Sequence, residues 1–219
     1  MATVPDLAPS ARPAAALALL GMGIAVLALA GMAPQDRVSW ALESALPLLL
    51  LLGLSIAWPW LRLSTGAYLA ILALLVVHEL GAHYSYAKVP YDQWLHSLSG
   101  HSLDDAMGWR RNQYDRLVHL SYGLLIAVPL RELLLRLTPM RGGWLILLTL
   151  SLVVSTSALY ELIEWIGGAY LGEDQARAFL ATQQDPWDAQ KDMALALGGA
   201  ILCCLIGLAR KRLGWSSAH

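Results

Sequence analysis

The chain has 219 residues, of which 57% are hydrophobic and 14% are charged, and its formal net charge is -1 at pH 7. Soluble globular domains contain about 25% charged residues, so this composition excludes a soluble globular fold. The balanced charge provides no global basic surface, and we expect no nucleic-acid partner.

Six apolar stretches are long enough to cross a membrane as helices, since a span needs about 20 residues. In chain order they cover residues 14–33, 40–58, 66–84, 113–135, 143–166 and 188–209. The first is longer than the apolar region of a signal peptide, so we interpret it as a membrane helix. The sequence shows no internal repeat. It therefore predicts one all-α membrane domain over residues 1–219, a polytopic bundle of about six transmembrane helices.

Basic residues are concentrated on one side of this predicted bundle. Because six helices alternate in direction, both termini share a side with the connections after the second and fourth spans. We name it side A, and the opposite side is side B. Side A holds eight of the 15 Lys and Arg residues: Arg12, Arg62, Arg131, Arg136, Arg141, Arg210, Lys211 and Arg212. The positive-inside rule predicts that side A and both termini face the cytoplasm.

Ionisable side chains are concentrated at the side B ends of the last four spans. Such a group at membrane depth costs a few kcal/mol and is by default a candidate functional residue. Pairs three or four residues apart lie on one helix face. These pairs are Glu79 and His83, Asp115 and His119, Glu161 and Glu164, and Asp188 and Asp192, and His78 precedes the first pair. Helix bundles build metal sites from such pairs on facing helices.

This pattern predicts a divalent metal site, with zinc, iron or manganese as candidate ions. A divalent ion activates water or polarises an ester or phosphoryl oxygen. We therefore expect a metal-dependent hydrolase or transferase that acts on a membrane lipid or a lipid-linked substrate. The predicted metal ligands are His78, His83, Asp115, His119, Asp188 and Asp192. The predicted catalytic residues are Glu161 and Glu164, and the predicted phosphate-binding residues are Arg110, Arg111, Arg116 and Lys191.

Other interpretations of the same residues remain open. Asp115 and Asp188 also suit helix N-termini, where an acid complements the helix dipole. The basic residues could pair with the acids in a purely structural or regulatory ion-pair network. An ion-coupled transporter is a further alternative, although such carriers usually contain internal repeats. Two long connections, 85–112 and 167–187, lie on side B, and we interpret His96 and His101 in the first as solvated loop residues.

Four sequence strings between residues 65 and 205 carry a family resemblance. They are HELGAHYSYAKVP from His78, RNQYDRLVH from Arg111, YELIEW from Tyr160 and FLATQQDPWDAQKDM from Phe179. In order and spacing they resemble the YjdF-type family of bacterial inner-membrane proteins. The resemblance implies a multi-pass protein of the bacterial inner membrane and implies no particular reaction. The chain departs from the family pattern at Val118, Leu120, Tyr122 and Gln184.

Overall fold

The fold comes from a computed structural model that describes residues 7–171, 183 and 185–213. The regular elements of this described part are eight helices. They are α1 (Pro13–Ala30), α2 (Arg37–Leu61), α3 (Thr65–His83), α4 (Tyr91–Ser99), α5 (Leu103–Met107), α6 (Tyr114–Leu137), α7 (Gly142–Tyr170) and α8 (Asp188–Arg212). An isolated β-bridge between Ser10 and Ser64 is the one extended pairing found there. The all-α prediction is confirmed.

Six of the described helices are long and apolar enough to cross a membrane, namely α1, α2, α3, α6, α7 and α8. They coincide with the six predicted spans, and the largest difference is at α7, which extends to Tyr170. The predicted polytopic bundle is therefore confirmed. The cytoplasmic location of side A and of both termini stays a prediction.

The connection between α3 and α6 is folded, which the sequence analysis did not predict. The Asp92 carboxylate of α4 accepts hydrogen bonds from the Ser102 hydroxyl (2.9 Å) and from the backbone N–H groups of Leu103 (2.6 Å) and Asp104 (3.0 Å). The Asp104 N–H is the main cause that lowers the pKa of Asp92. The Tyr91 hydroxyl donates to Asp104 (2.6 Å), and burial followed by this bond raises the pKa of Tyr91 to about 12. Polar contacts therefore hold α4 to α5.

The side A end of the bundle is held by Glu132, a buried acid of α6. Its two oxygens accept hydrogen bonds from the Ser64 N–H (2.7 Å) and hydroxyl (2.6 Å). The Arg136 guanidinium donates to it as well, from Nη2 (2.6 Å) and Nε (2.9 Å). Because Ser64 also caps the N-terminus of α3, Glu132 joins α3 to α6.

Small residues allow α6 and α8 to approach each other closely. A β-carbon on Gly123 would lie 1.8 Å from the Ala196 carbonyl oxygen. A β-carbon on Gly199 would lie 2.2 Å from the Leu120 carbonyl oxygen. Close backbone approach through small residues is typical of membrane helix pairs. It brings the side B ends of these two parallel helices together.

Gly199→Ala is expected to destabilise the protein by about 1–3 kcal/mol, because the new methyl group meets the backbone of α6 and not a flexible side chain. Gly198→Ala is the matched control, since no atom of the described residues lies within 4 Å of a β-carbon there. That change is expected to stabilise the helix by up to about 1 kcal/mol. Thermal unfolding of both variants in one detergent measures the difference. Equal midpoints would contradict the close contact.

Candidate membrane-embedded acid and histidine site

Asp115, His119 and Asp192 meet between the side B ends of α6 and α8. One potential ligand atom of each lies within 4.8 Å of the other two. His119 Nε2 is 3.5 Å from Asp115 Oδ1, one helical turn away on α6. His119 is 9% exposed and Asp192 is 2% exposed. Three of the six predicted metal ligands are therefore brought together in a buried place.

Glu161 of α7 lies beside these three residues, and we name the four together the acid–histidine cluster (Asp115, His119, Asp192 and Glu161). Glu161 Oε1 is 3.7 Å from His119 Nε2. Glu164 lies one turn further along α7 and interacts with Glu161. Both predicted catalytic glutamates thus lie at the cluster or beside it.

Two oxygens of the acid–histidine cluster have unmet hydrogen-bonding capacity. Asp192 Oδ1 and Glu161 Oε1 are buried and have no hydrogen-bond partner among the described residues. A buried polar atom without a partner is costly, and the cost is greater when the group is charged. A cation between these oxygens would remove that cost, and carboxylate and imidazole donors together suit a divalent ion.

Asp185, three residues before α8, binds three of the four predicted phosphate-binding side chains. It accepts from Lys191 Nζ (2.5 Å), Arg116 Nη2 (2.7 Å) and Arg111 Nη1 (3.3 Å). The bond from Lys191, followed by one from the Trp187 backbone, holds the pKa of Asp185 below its usual value. Asp185 is therefore an ionised counter-ion that sets the position of these cations. The sequence analysis did not assign it a role.

Asp188 lies beside the cluster but binds an arginine. Its Oδ1 accepts from Arg111 Nη1 at 2.8 Å. Asp188 is thereby engaged in an ion pair, while Asp192 one turn further along α8 faces His119. Arg110, the fourth predicted phosphate-binding residue, is exposed.

His78 is held by a carbonyl group that a proline leaves free. Pro47 has no N–H, so the carbonyl of Glu43, four residues earlier in α2, lacks its helical partner. His78 Nε2 lies 3.2 Å from that carbonyl and must donate to it. With the ring proton on Nε2, Nδ1 offers a lone pair, and the Tyr86 hydroxyl 2.8 Å away donates to it. A metal role for His78 would require its Nδ1 to exchange the Tyr86 hydroxyl for the ion, while the Nε2 proton could keep its bond to the Glu43 carbonyl.

His83 is likewise bonded to a helix backbone. Its Nδ1 lies 2.8 Å from the carbonyl oxygen of Ala30, the last residue of α1. The final carbonyls of a helix lack intrahelical donors, so this imidazole caps α1. The structure does not bring His83 to the acid–histidine cluster.

Glu43 is a buried acid that the sequence analysis missed. It is 4% exposed, and it accepts a hydrogen bond from the Tyr160 hydroxyl. The Tyr160 ring lies between two imidazoles, with centroid distances of 6.4 Å to His78 and 6.2 Å to His119. The sequence did contain a sign of this residue's importance. Glu43 is an acid inside an apolar stretch and lies four residues before Pro47.

A cavity of about 440 Å³ adjoins the acid–histidine cluster. Its volume falls in the usual range of ligand pockets, about 300–1,000 Å³. Along α6 it extends from Asp115 to Leu130, about 22 Å at 1.5 Å per residue. Its ionisable lining residues all lie towards side B: His78, Tyr86, Asp115, His119, Tyr122, Tyr160 and Glu164. The remaining wall is mainly apolar, so the cavity is amphipathic along its length.

Comparisons with known proteins agree with this architecture. Residues 15–212 match the family described as "Predicted membrane protein (DUF2238)". The chain is 35% identical over 190 residues to "Inner membrane protein YjdF" of Escherichia coli (strain K12), with 84% of each chain covered. No solved structure matches. Gln184 and residues 179–182 of the fourth string lie outside the described residues.

The family match and the six apolar helices together define where the protein resides. The relative is an inner membrane protein by name, and the spans of this chain are those of a multi-pass protein. The protein is therefore a multi-pass protein of the bacterial inner membrane. The resemblance found in the four strings is confirmed, because the match covers most of the chain. The chain belongs to the DUF2238 family of membrane proteins, together with the inner membrane protein YjdF.

Proposed function

We propose that this protein is a membrane-embedded, metal-dependent hydrolase or transferase acting on a membrane lipid or a lipid-linked substrate. The observation that carries the proposal is that Asp115 and His119, two members of the acid–histidine cluster, line the polar end of an otherwise apolar cavity. A lipid has the matching division into an apolar chain and a polar group. The cluster then faces the ester or phosphoryl group, while the chain lies along the apolar wall.

Asp115, His119 and Asp192 are the proposed metal ligands, with Glu161 as a fourth ligand or as the general base. Their ligand atoms lie near one another, and the free oxygens of Asp192 and Glu161 support a cation there. Carboxylate and imidazole ligands suit zinc, iron or manganese. When bound, such an ion supplies Lewis-acid polarisation of an ester or phosphoryl oxygen.

The side chains around the cluster have separate proposed tasks. Glu164 interacts with Glu161 and can pass a proton to or from it. Arg116 and Lys191, positioned by Asp185, supply charge-assisted hydrogen bonds to a phosphate at side B. The apolar wall excludes water from the rest of the cavity, which strengthens electrostatic interactions at its polar end.

Elemental analysis of protein purified in detergent without chelators tests the metal requirement. The wild type is expected to hold about one divalent ion per chain, since three or four protein ligands suffice for one ion. His119→Ala combined with Asp192→Ala is expected to lose it. His96→Ala combined with Asp105→Ala is the matched control, because it removes the same residue types from exposed positions of the short helices α4 and α5.

The same preparations are then incubated with vesicles of radiolabelled phosphatidylglycerol and phosphatidylethanolamine, and the products are separated by chromatography. Conversion by the wild type and by the His96→Ala, Asp105→Ala control, but not by the cluster variant, is the expected result. A folded wild type without metal and without conversion would overturn the proposal. It would favour the ion-pair network or an ion-coupled transporter instead.

A further inference from the structure

Four helices surround the cavity, and three of the four seams between them are closed. α2 packs against α3, α3 against α6, and α6 against α7. α2 and α7 complete the ring, yet these two fully described helices do not pack closely against each other. The wall of the cavity is therefore least closed between α2 and α7.

The rim of this open seam faces the membrane. Leu50 of α2 and Leu159 and Ile163 of α7 line the cavity and are also 38%, 57% and 47% exposed. These residues lie within membrane spans, where an exposed leucine or isoleucine contacts acyl chains and not water. The apolar lining is thus continuous with the lipid-facing surface of the bundle.

The polar end of the seam is bridged by one hydrogen bond. Tyr160 of α7 donates to Glu43 of α2, near the side B end of each helix. Deeper in the membrane, Pro47 and Leu50 of α2 are apolar, and α7 presents Leu159 together with the hydroxyl groups of Thr156 and Ser157. The Thr156 hydroxyl is already bonded, since it accepts from Tyr122 and donates to the Leu152 carbonyl. A polar headgroup is therefore kept at side B, whereas a hydrocarbon chain meets no charged group along the deeper part of the seam.

We infer that the cavity binds a hydrocarbon chain of a membrane lipid, which enters sideways from the bilayer between α2 and α7. The chain would pack against Ile71, Leu74 and Leu75, and van der Waals contact with this wall would replace its contacts with other lipid chains. The lipid's polar group then lies at the acid–histidine cluster. This inference rests on the proposed function for the reaction at that group, whereas binding of the chain is measurable without any reaction.

Photolabelling from the bilayer tests the inference. The protein is reconstituted into vesicles that contain phosphatidylglycerol with a diazirine in the middle of one acyl chain. After illumination, mass spectrometry locates the labelled residues. Ile71 and Leu75 are only 4% and 3% exposed, so label on them requires a chain inside the cavity.

Tryptophan at the rim is expected to block entry. Leu50→Trp combined with Leu159→Trp is expected to reduce label on Ile71 and Leu75 by about tenfold, since the bulkier rings fill the seam. The matched control carries tryptophan at Leu49 and Leu162, which are 62% and 51% exposed but do not line the cavity. It is expected to be labelled like the wild type.

The outcomes separate this inference from the proposed function. Wild-type label confined to lipid-exposed residues, or equal label in the blocked and control variants, would overturn chain binding even if the protein holds metal. Label on Ile71 and Leu75 in a protein without metal would support chain binding and count against the metal-dependent enzyme. Should the blocked variant fail to fold, the labelled positions in the wild type still decide the inference.

Discussion

Glu132→Ala is expected to lower the free energy of unfolding by about 3–5 kcal/mol, the usual cost of removing one partner from a buried charge pair. Glu132 is 7% exposed, and its carboxylate accepts from Ser64 and Arg136. Alanine would leave the buried Ser64 N–H and hydroxyl without this acceptor and would leave the partly buried Arg136 guanidinium without its counter-ion. Unfolding of the purified protein in detergent, followed by circular dichroism, measures the loss.

Two further variants check that explanation. Glu132→Gln keeps one acceptor oxygen for Ser64, so it is expected to cost less than alanine. Asp105→Ala removes an acid from an exposed position and is expected to change stability by less than about 0.5 kcal/mol. Metal content should be unchanged in all of them, because Glu132 lies at the opposite end of the bundle from the acid–histidine cluster. A fully stable Glu132→Ala variant would refute the structural role.

The six spans could be predicted because a membrane helix is specified by length and composition alone. The short helices α4 and α5 could not, since contacts between residues 10 to 13 positions apart, such as Asp92 with Ser102 and Tyr91 with Asp104, hold them. Hydrophobic periodicity carries no information about such contacts. The pairing of α6 with α8 also could not be predicted. Gly123 and Gly199 allow the two backbones to approach closely, but the sequence does not indicate which helix each glycine faces.

Half of the predicted ligand set could be inferred from helical spacing. A spacing of four residues places Asp115 and His119 on one face of α6, and Asp192 lies opposite them on α8. The choice between Asp188 and Asp192 could not be made from spacing, because both lie on the same face one turn apart. In the structure, Arg111, which precedes α6, binds Asp188 and so leaves Asp192 as the acid that faces His119.

The histidines of α3 are held elsewhere by backbone groups that other helices leave unpaired. Pro47 frees the Glu43 carbonyl for His78, and the end of α1 offers the Ala30 carbonyl to His83. Those partners lie 35 and 53 residues away in the chain, so a single sequence does not reveal them. Their role as metal ligands stays a prediction, and their observed bonds indicate a structural role.

Asp188→Asn supplies a reference for a purely structural acid at the same site. Loss of the Asp188 charge would weaken the ion pair with Arg111, so the substitution is expected to lower the stability of the metal-free protein. Because Asp188 is not among the grouped ligand atoms, the variant should still be stabilised by added metal.

Asp192→Asn is expected to show the opposite combination, with unchanged or increased stability when metal-free and no stabilisation by metal. Asp192 Oδ1 has no hydrogen-bond partner in the described part of the chain, and the amide removes one negative charge from a group of buried acids. In the wild type, free metal at 100 times its dissociation constant stabilises the fold by about 2.7 kcal/mol. Thermal unfolding after chelation, and again after zinc or manganese is restored, measures both quantities. If Asp192→Asn lost stability without metal and still responded to it, Asp192 would be a structural acid and not a ligand.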